Sequence, residues 1–261
     1  MILDEIVAWK KKELVLAKTD RPAADLRAKA RSAAPLKPFS LRQAGNVSII
    51  AEFKRASPVK GPLKPGLDPK TQAEAYAAGG ARAISVLTDS KFFQGSVDDL
   101  RAARLAVDLP VLRKDFVIDE YQLLEARVML ADCALLIARI LEKRQLADYV
   151  AMAREDLKLA ILVETHTEKE VEAALDAKAS IIGINNRDLD TFTVSLETTA
   201  RLRRFIPPEV VVVSESGIGK RDDLVLLRAM NVDAALIGEE LVKSDDPAKK
   251  LGELLDERPR R

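Results

Sequence analysis

Residues 49–58 read IIAEFKRASP, an apolar run that leads into an acid and a base before a serine and a proline end it. Side chains alternate along a strand, so Glu52 and Lys54 share one face and Phe53 lies on the other. Two charges inside a strand are costly unless they pair or face a polar site. The segment therefore predicts a buried strand with a candidate functional site at its carboxyl end.

Similar apolar runs recur along the chain, eight in all, with helical patterns between them. The runs cover residues 47–53, 83–87, 110–112, 134–137, 159–163, 181–184, 210–213 and 234–237. The helical patterns cover residues 71–78, 96–107, 120–130, 143–155, 168–177, 196–205 and 222–230. Continuous apolar strands that alternate with helices are typical of a parallel sheet covered on both faces. Eight such units, without a Gly-x-Gly-x-x-Gly motif after the first strand, predict a closed (β/α)8 TIM barrel of the α/β class rather than an open doubly wound sheet.

The length of 261 residues suits a single barrel domain, so we expect one domain over residues 1–261. Residues 1–45 precede the first strand and contain two helical stretches, 2–17 and 23–33. We interpret them as an N-terminal helical extension packed on the barrel. No low-complexity linker marks a second domain.

The composition excludes several classes of protein. Hydrophobic residues make up 48% and charged residues 32%, with a net charge of +1, so nothing attracts the whole molecule to nucleic acid or membrane. No apolar stretch reaches the about 18 residues of a membrane helix. The single cysteine, Cys133, fits a reducing cytosol and is interpreted as a core residue just before the fourth strand. We expect a cytoplasmic protein without a metal site, because no Cys/His/carboxylate spacing suggests one.

Polar residues end several of the predicted strands. Glu52 and Lys54 end the first, Lys114 follows the third, Glu164 the fifth and Asn185 the sixth. Each of these alone is common at a strand end as a solvated or salt-bridged residue. Because the carboxyl ends of barrel strands form the active-site face, together they predict one site at the mouth of the barrel.

The loops after the last two strands carry Ser216-Gly217 and Gly238-Glu239. We expect each pair to begin a helix, where free backbone N–H groups bind a phosphate. A carboxylate would repel that phosphate, so we expect the Glu239 side chain to turn to solvent. His166, the only histidine, follows the fifth strand and is interpreted as a loop residue without a role in the site.

Five segments make the chain resemble the indole-3-glycerol phosphate synthase family from end to end. They read IAEFKRASP at 50–58, ISVLT with KFFQG at 84–95, LRKDF at 112–116, GINNRDL at 183–189 and SESGI at 214–218. The resemblance implies the conversion of 1-(2-carboxyphenylamino)-1-deoxyribulose 5-phosphate to indole-3-glycerol phosphate, CO₂ and water. It thus implies a carboxy-lyase of tryptophan biosynthesis that uses no cofactor and binds a phosphorylated small molecule.

The resemblance also assigns roles residue by residue. Lys114 matches the family's general acid for ring closure, and Glu164 matches the acid/base residue of the dehydration. Lys54 matches a lysine that contacts the substrate carboxylate, and the division of the proton transfers between Lys54 and Lys114 stays open. The other matches are residues that orient the substrate and the lysines (Glu52, Asn185), a phosphate cradle (Ser57, Ser216, Gly217, Gly238, Glu239), a substrate-site loop residue (Arg187) and an anthranilate pocket (Phe93, Phe116, Leu135, Leu189). Val59 departs from the serine that many members have, which leaves the contacts of the first loop open.

Two other functions fit the same fold. Phosphoribosylanthranilate isomerase has a cysteine in the first strand and an aspartate at the sixth, where this chain has Glu52 and Asn185. A catalytically silent barrel that binds a phosphorylated metabolite would be expected to lose Lys54, Lys114 or Glu164, and all three are present. The oligomeric state stays open, and a monomer is compatible with the sequence.

Overall fold

The computed structural model describes residues 2–255 and has a closed barrel of eight parallel strands at its centre. Each strand pairs with its neighbours in sequence, and the first pairs with the last, which confirms the predicted (β/α)8 architecture. The strands are β1 (Ser48–Phe53), β2 (Ala83–Leu87), β3 (Val111–Lys114), β4 (Cys133–Ile137), β5 (Ala160–Thr165), β6 (Ile181–Asn185), β7 (Val211–Glu215) and β8 (Ala234–Ile237). A two-stranded hairpin, Ala56–Ser57 with Gly61–Pro62, follows β1.

Helices surround the barrel and precede it. They are α1 (Ile2–Asp20), α2 (Ala23–Ser32), α3 (Pro69–Ala78), α4 (Ser90–Phe93), α5 (Val97–Ala106), α6 (Glu120–Val128), α7 (Lys143–Met152), α8 (Glu168–Asp176), α9 (Glu197–Arg203), α10 (Arg221–Ala229), α11 (Glu239–Lys243) and α12 (Pro247–Leu255). Five begin after a side-chain cap that accepts a backbone N–H of the first turn: α3 after Asp68, α4 after Asp89, α5 after Ser96, α6 after Asp119 and α8 after Thr167. The seventh helix is shorter than predicted because its last turn, Ala153–Leu157, is a π-helical turn.

Several strands extend further than the apolar runs predicted. β3 includes Lys114, β5 includes Glu164, β6 includes Asn185 and β7 includes Glu215. The hydrogen bonds of a strand join backbone groups, whatever the side chain. A residue with a polar side chain can therefore remain in the strand when that side chain faces polar surroundings. These four polar residues therefore stand on the sheet itself, at the carboxyl ends of their strands.

Alternation along the strands decides which residues reach the mouth. Ile50 packs inside the barrel, whereas Ile49, Ala51 and Phe53 pack against the helices. The next inward residue after Ile50 is therefore Glu52. The same step of two leads from an interior apolar residue to a polar one on three more strands: Leu112 to Lys114, Leu162 to Glu164 and Val213 to Glu215.

Cys133 begins β4 and lies inside the barrel, fully buried, rather than just before the strand as predicted. Its thiol is not in a disulfide, and burial raises the pKa of that thiol. The interpretation as a core residue therefore holds, but its position is inside the strand.

The N-terminal helices pack on the barrel from outside. α2 contacts α6, and α1 buries Leu3, Ile6 and, unusually, Lys10. α1 is longer than the predicted 2–17 because its last turn continues to Asp20. Within residues 2–255, no helix combines the length and apolar character that a membrane span requires.

Candidate active site

A cavity of about 630 Å³ occupies the mouth of the barrel at the carboxyl ends of the strands. It brings together all of the predicted site residues except Ser57. Ser57 lines a smaller adjoining groove of about 140 Å³, beside Ile2, Leu3 and Ile6 of α1. There its hydroxyl accepts the backbone N–H of Lys60 at 3.2 Å and so holds the hairpin turn.

Charged side chains from alternate strands form a single layer across the cavity. Lys114 Nζ lies 3.1 Å from Glu164 Oε2 and 3.4 Å from Glu215 Oε2. Glu52 Oε1 lies 2.5 Å from Lys54 Nζ. Inward side chains of alternate barrel strands share a layer, and here β1, β3, β5 and β7 each supply one charged member.

The layer separates the protonation states of two of its buried carboxyl groups, Glu164 and Glu215. Burial raises the pKa of both, and the ammonium of Lys114, together with His166, outweighs burial at Glu164 and lowers its pKa. At Glu215, burial and the charges of Glu164 and Glu52 prevail, and the pKa rises to about 7. Two carboxyl groups with pKa values pushed apart can act as a base and an acid in one site.

The same layer keeps Lys114 charged. Burial alone would lower the pKa of Lys114, but the carboxylates of Glu164, Glu215 and Glu52 outweigh it and raise that pKa. The ammonium is therefore the form present at neutral pH. It can stabilise negative charge that develops on a substrate oxygen.

Asn185 orients Glu164. Its amide Nδ2 donates to Glu164 Oε1 at 3.1 Å, and its Oδ1 accepts the backbone N–H of Arg187 at 3.0 Å. The guanidinium of Arg187 lines the cavity, and its Nη1 donates to the carbonyl of Phe192 at 3.4 Å. Asn185 therefore links the strand layer to the loop that carries Arg187.

The loop after β7 differs from its prediction. Ser216 and Gly217 do not begin a helix, because α10 starts only at Arg221. Both residues have positive φ, +68° at Ser216 and +77° at Gly217, and a Cβ on Gly217 would lie 2.5 Å from Val194 Cγ1. Asn186 Nδ2 fixes this turn by donating to the carbonyl of Ser216 at 3.0 Å. A side chain at Gly217 would therefore be strained by the positive φ and would force Val194 to shift.

The loop after β8 begins a helix as predicted, with Gly238 immediately before α11. The expectation that the Glu239 carboxylate turns to solvent is wrong. Its Oε1 lies 2.6 Å from both Lys60 Nζ and Lys243 Nζ, and these two lysines overcome the effect of burial and lower its pKa to about 2. Two ammonium groups therefore neutralise Glu239 at the edge of the cavity.

One part of the cavity wall is apolar. The rings of Phe93 and Phe116 lie 5.9 Å apart between centroids, and Leu135 and Leu189 complete the wall. Seven residues line both the cavity and the groove beside α1: Phe93, Phe116, Leu189, Lys54, Lys60, Arg187 and Glu239. The site thus combines an apolar wall, which continues toward α1, with charged residues at its centre and along the same groove.

Sequence reasoning missed two contributors to the site. Glu215 was part of the SESGI segment but received no role, although the two-residue step from an interior valine could have identified it. Lys10 gave no signal, since only the fold brings α1 to the barrel: its Nζ lies 3.0 Å from Asp89 Oδ2 and 3.1 Å from Asp115 Oδ1. Asp115 follows Lys114, so α1 is tied to the strand that carries the central ammonium.

Comparison with known proteins gives one consistent family. A family model described as indole-3-glycerol phosphate synthase matches residues 3–254. The indole-3-glycerol phosphate synthase of Laribacter hongkongensis (strain HLHK9) is 46% identical over 259 residues, covering 97% of this chain and 98% of the relative. That of Burkholderia ambifaria (strain AMMD) is 47% identical over 258 residues, with coverage of 97% and 98%.

Solved structures of low identity show the fold alone. A thiamine phosphate pyrophosphorylase from Pyrococcus furiosus has a TM-score of 0.60 at 17% identity, covering 80% of this chain and 94% of that one. A chain of the tryptophan synthase α2β2 complex from the same organism has a TM-score of 0.58 at 16% identity, covering 82% and 99%.

Proposed function

The chain belongs to the indole-3-glycerol phosphate synthase family, and from that premise we propose how its residues divide the work of the family's reaction. The reaction is a carboxy-lyase step of tryptophan biosynthesis. It closes the pyrrole ring of 1-(2-carboxyphenylamino)-1-deoxyribulose 5-phosphate, releases CO₂ and then loses water. The observation that carries the assignment is the ammonium of Lys114, held between Glu164 and Glu215 in the cavity.

Lys114 is the general acid of ring closure. When the aromatic carbon attacks the sugar carbonyl, negative charge grows on the carbonyl oxygen, and a positioned ammonium stabilises and protonates it. The raised pKa of Lys114 supports this role by keeping the proton in place until that charge develops. Lys54, paired with Glu52 at the mouth, binds the substrate carboxylate that later leaves as CO₂.

Glu164 and Glu215 complete the dehydration. The lowered pKa of Glu164 makes it a carboxylate, which can take the proton lost as the indole ring becomes aromatic. The raised pKa of Glu215, about 7, leaves it a proton to give to the departing hydroxyl group near neutral pH. Asn185 orients the Glu164 carboxylate through the hydrogen bond that its amide donates.

The substrate lies across the cavity with its two ends in different surroundings. Its anthranilate ring packs against Phe93, Phe116, Leu135 and Leu189, which form the apolar wall. Its phosphate binds at the loops of Ser216-Gly217 and Gly238-Glu239, where the glycines let the anion approach the backbone. Arg187 closes over the substrate from its loop, and Ser57 contributes through the hairpin turn that it holds.

The setting of the enzyme is also part of the proposal. Residues 1–261 act as one domain, with residues 1–45 as its helical extension. A monomer in the cytoplasm is consistent with a reduced, buried cysteine and a site built from one chain. The substrate is a phosphorylated small molecule, and neither nucleic acid nor membrane takes part.

The direct test is to incubate the purified protein with the carboxyphenylamino ribulose phosphate and follow indole fluorescence. We expect product formation without any added metal or cofactor. The matched control supplies phosphoribosylanthranilate instead, which should give no turnover. Turnover of the control substrate alone would support the isomerase in place of the synthase.

A further inference from the structure

His166 stands directly behind the proposed base. It follows β5 by one residue, and its ring Nε2 lies 3.4 Å from Glu164 Oε1. That oxygen also accepts the amide of Asn185, while the other oxygen of Glu164 faces Lys114. The imidazole is only 8% exposed and does not line the cavity, so a substrate would touch Glu164 but not His166.

Glu170, in the first turn of α8, holds the other side of the ring. Its Oε2 accepts the backbone N–H of His166 at 2.7 Å and lies 3.2 Å from the ring Nδ1. The helix cap fixes Glu170 in turn, since Thr167 Oγ1 accepts the backbone N–H of Glu170 at 3.3 Å. Glu170 is therefore fixed in position, and the imidazole ring has little freedom to rotate between the carboxylates of Glu164 and Glu170.

The ring Nε2 needs Glu164. This nitrogen is buried and has no hydrogen-bond partner of good geometry among residues 2–255; its ion-pair contact is with Glu164. A buried polar nitrogen without a partner is costly, so a small movement of Glu164 toward the ring would be favourable. The arrangement is thus a chain of carboxylate, imidazole and carboxylate that ends at the substrate cavity.

We propose that His166 is a positioning residue for Glu164, with Glu170 holding the imidazole ring in place. The inference deepens the proposed function and rests on it, because it assigns a partner to the base named there. An imidazolium at this position attracts the Glu164 carboxylate away from Lys114. It therefore keeps the base ionised and limits how strongly Lys114 neutralises it.

The charges around the ring support its protonated form. Burial lowers the pKa of His166, but Glu170 and Glu164, with a contribution from Glu215, outweigh burial and raise it. The ammonium of Lys114, on the other side of Glu164, acts to lower the pKa of His166, while Asn185 is neutral. Three carboxyl groups and one ammonium thus face this site from β5, α8, β7 and β3.

The first test is the pH profile of kcat in His166→Gln, which removes the charge but keeps a hydrogen-bond donor. Loss of a neighbouring positive charge raises the pKa of a carboxyl, so the acid limb of the profile should move up by about one pH unit. The KM should stay within about twofold, since His166 does not line the cavity. Glu170→Gln, which removes the charge that holds the imidazolium, should move the limb in the same direction by less.

The second test needs no catalysis. Since His166 is the only histidine, the imidazole NMR signals of the native chain belong to it alone. We expect its pKa to lie above that of free histidine and to fall in both Glu164→Gln and Glu170→Gln. A titration that Glu164→Gln leaves unchanged would overturn the proposal, as would a uniform loss of kcat in His166→Gln without any shift of the acid limb.

The two proposals can fail separately. If Glu164→Gln keeps full kcat, the assignment of the base fails whatever the histidine titration shows. If Glu164→Gln abolishes turnover but leaves the pKa of His166 unchanged in the NMR titration, the assignment of the base stands and the positioning role of His166 is wrong. A combined His166→Gln, Glu164→Gln variant should be no slower than Glu164→Gln alone.

Discussion

Lys114 places a buried ammonium between two carboxyl groups, those of Glu164 and Glu215. Lys114→Ala should lower kcat by roughly 10²–10⁴-fold, the range of an acid–base residue, while circular dichroism shows a folded barrel. Lys114→Arg is the matched control: it keeps the charge but gives up a proton far less readily, so it should remain impaired. A Lys114→Ala variant with more than half of the native kcat would contradict the assignment.

Glu164 is proposed to act after the ring has closed, so its loss should affect turnover more than binding. Glu164→Gln keeps the shape and the contact with Asn185 but removes the base. We expect kcat to fall by roughly 10²-fold or more, with KM nearly unchanged. A higher KM with an unchanged kcat, measured by steady-state fluorescence, would make Glu164 a binding residue.

Glu215 couples activity to stability. Its pKa rises from 4.5 to about 7 on folding, so between these values the folded protein binds more protons than the unfolded chain. Its contribution to stability is therefore lost as the pH rises through that window. Glu215→Gln should raise Tm at pH 8 by at least about 2 °C, leave Tm near pH 4.5 almost unchanged, and slow turnover.

Calorimetry at the two pH values checks this prediction. Glu253→Gln, on the exposed surface of α12, is the control, because it removes one carboxylate outside the site. A Glu215→Gln variant that is less stable at pH 8 than the native protein would mean that the charged form of Glu215 stabilises the fold through Lys114.

At the scale of elements, the loop after β7 is shaped for close approach rather than for capping a helix. Gly217 has a φ of +77° and no room for a Cβ beside Val194. Gly217→Asp should therefore raise KM sharply through steric overlap and repulsion of the phosphate, with a smaller effect on kcat. Inorganic phosphate should compete with the substrate in the native protein and compete less well in the variant.

Gly217→Ala separates the two causes, because it has the strain and the contact with Val194 without the charge. Its KM should lie between those of the native protein and Gly217→Asp. Equal KM values in the two variants would show that shape alone, and not repulsion, limits binding at this loop. A phosphate bound elsewhere in a soaked crystal, with this loop empty, would overturn the placement.

The sequence predicted the elements well where periodicity is strong, and predicted contacts between distant residues poorly. The eight apolar runs mark all eight strands because both faces of a barrel strand are buried. The carboxyl ends of β3, β5, β6 and β7 were placed too early because the polar residues near them, such as Lys114, still pair in the ladder. The expected position of the Glu239 carboxylate was wrong in part because one of its two partners, Lys60, lies 179 positions away in the sequence, whereas the other, Lys243, lies four positions on.

At the scale of the whole molecule, α1 joins the extension to the barrel at two places. Ile2, Leu3 and Ile6 line the apolar groove beside the cavity, and Lys10 pairs with Asp89 and Asp115 behind Lys114. This pairing helps to keep Asp115 ionised. Burial raises the pKa of Asp115, but the charges of Arg113 and Lys10 outweigh burial and lower that pKa to about 2. No sequence pattern indicated this link, since a lysine on a charged helix is usually solvated.

Removal of the extension should therefore cost activity beyond its effect on stability. A chain that begins after about residue 30 keeps all eight strands and their ladder, so we expect a folded barrel by circular dichroism. Its turnover should be weaker because the groove loses the apolar wall of α1 and Asp115 loses an ammonium partner. Lys10→Met keeps the wall and removes only the charge, so its kcat should fall less than that of the truncated chain. Full activity in the truncated protein, measured well below its Tm, would show that the extension serves stability alone.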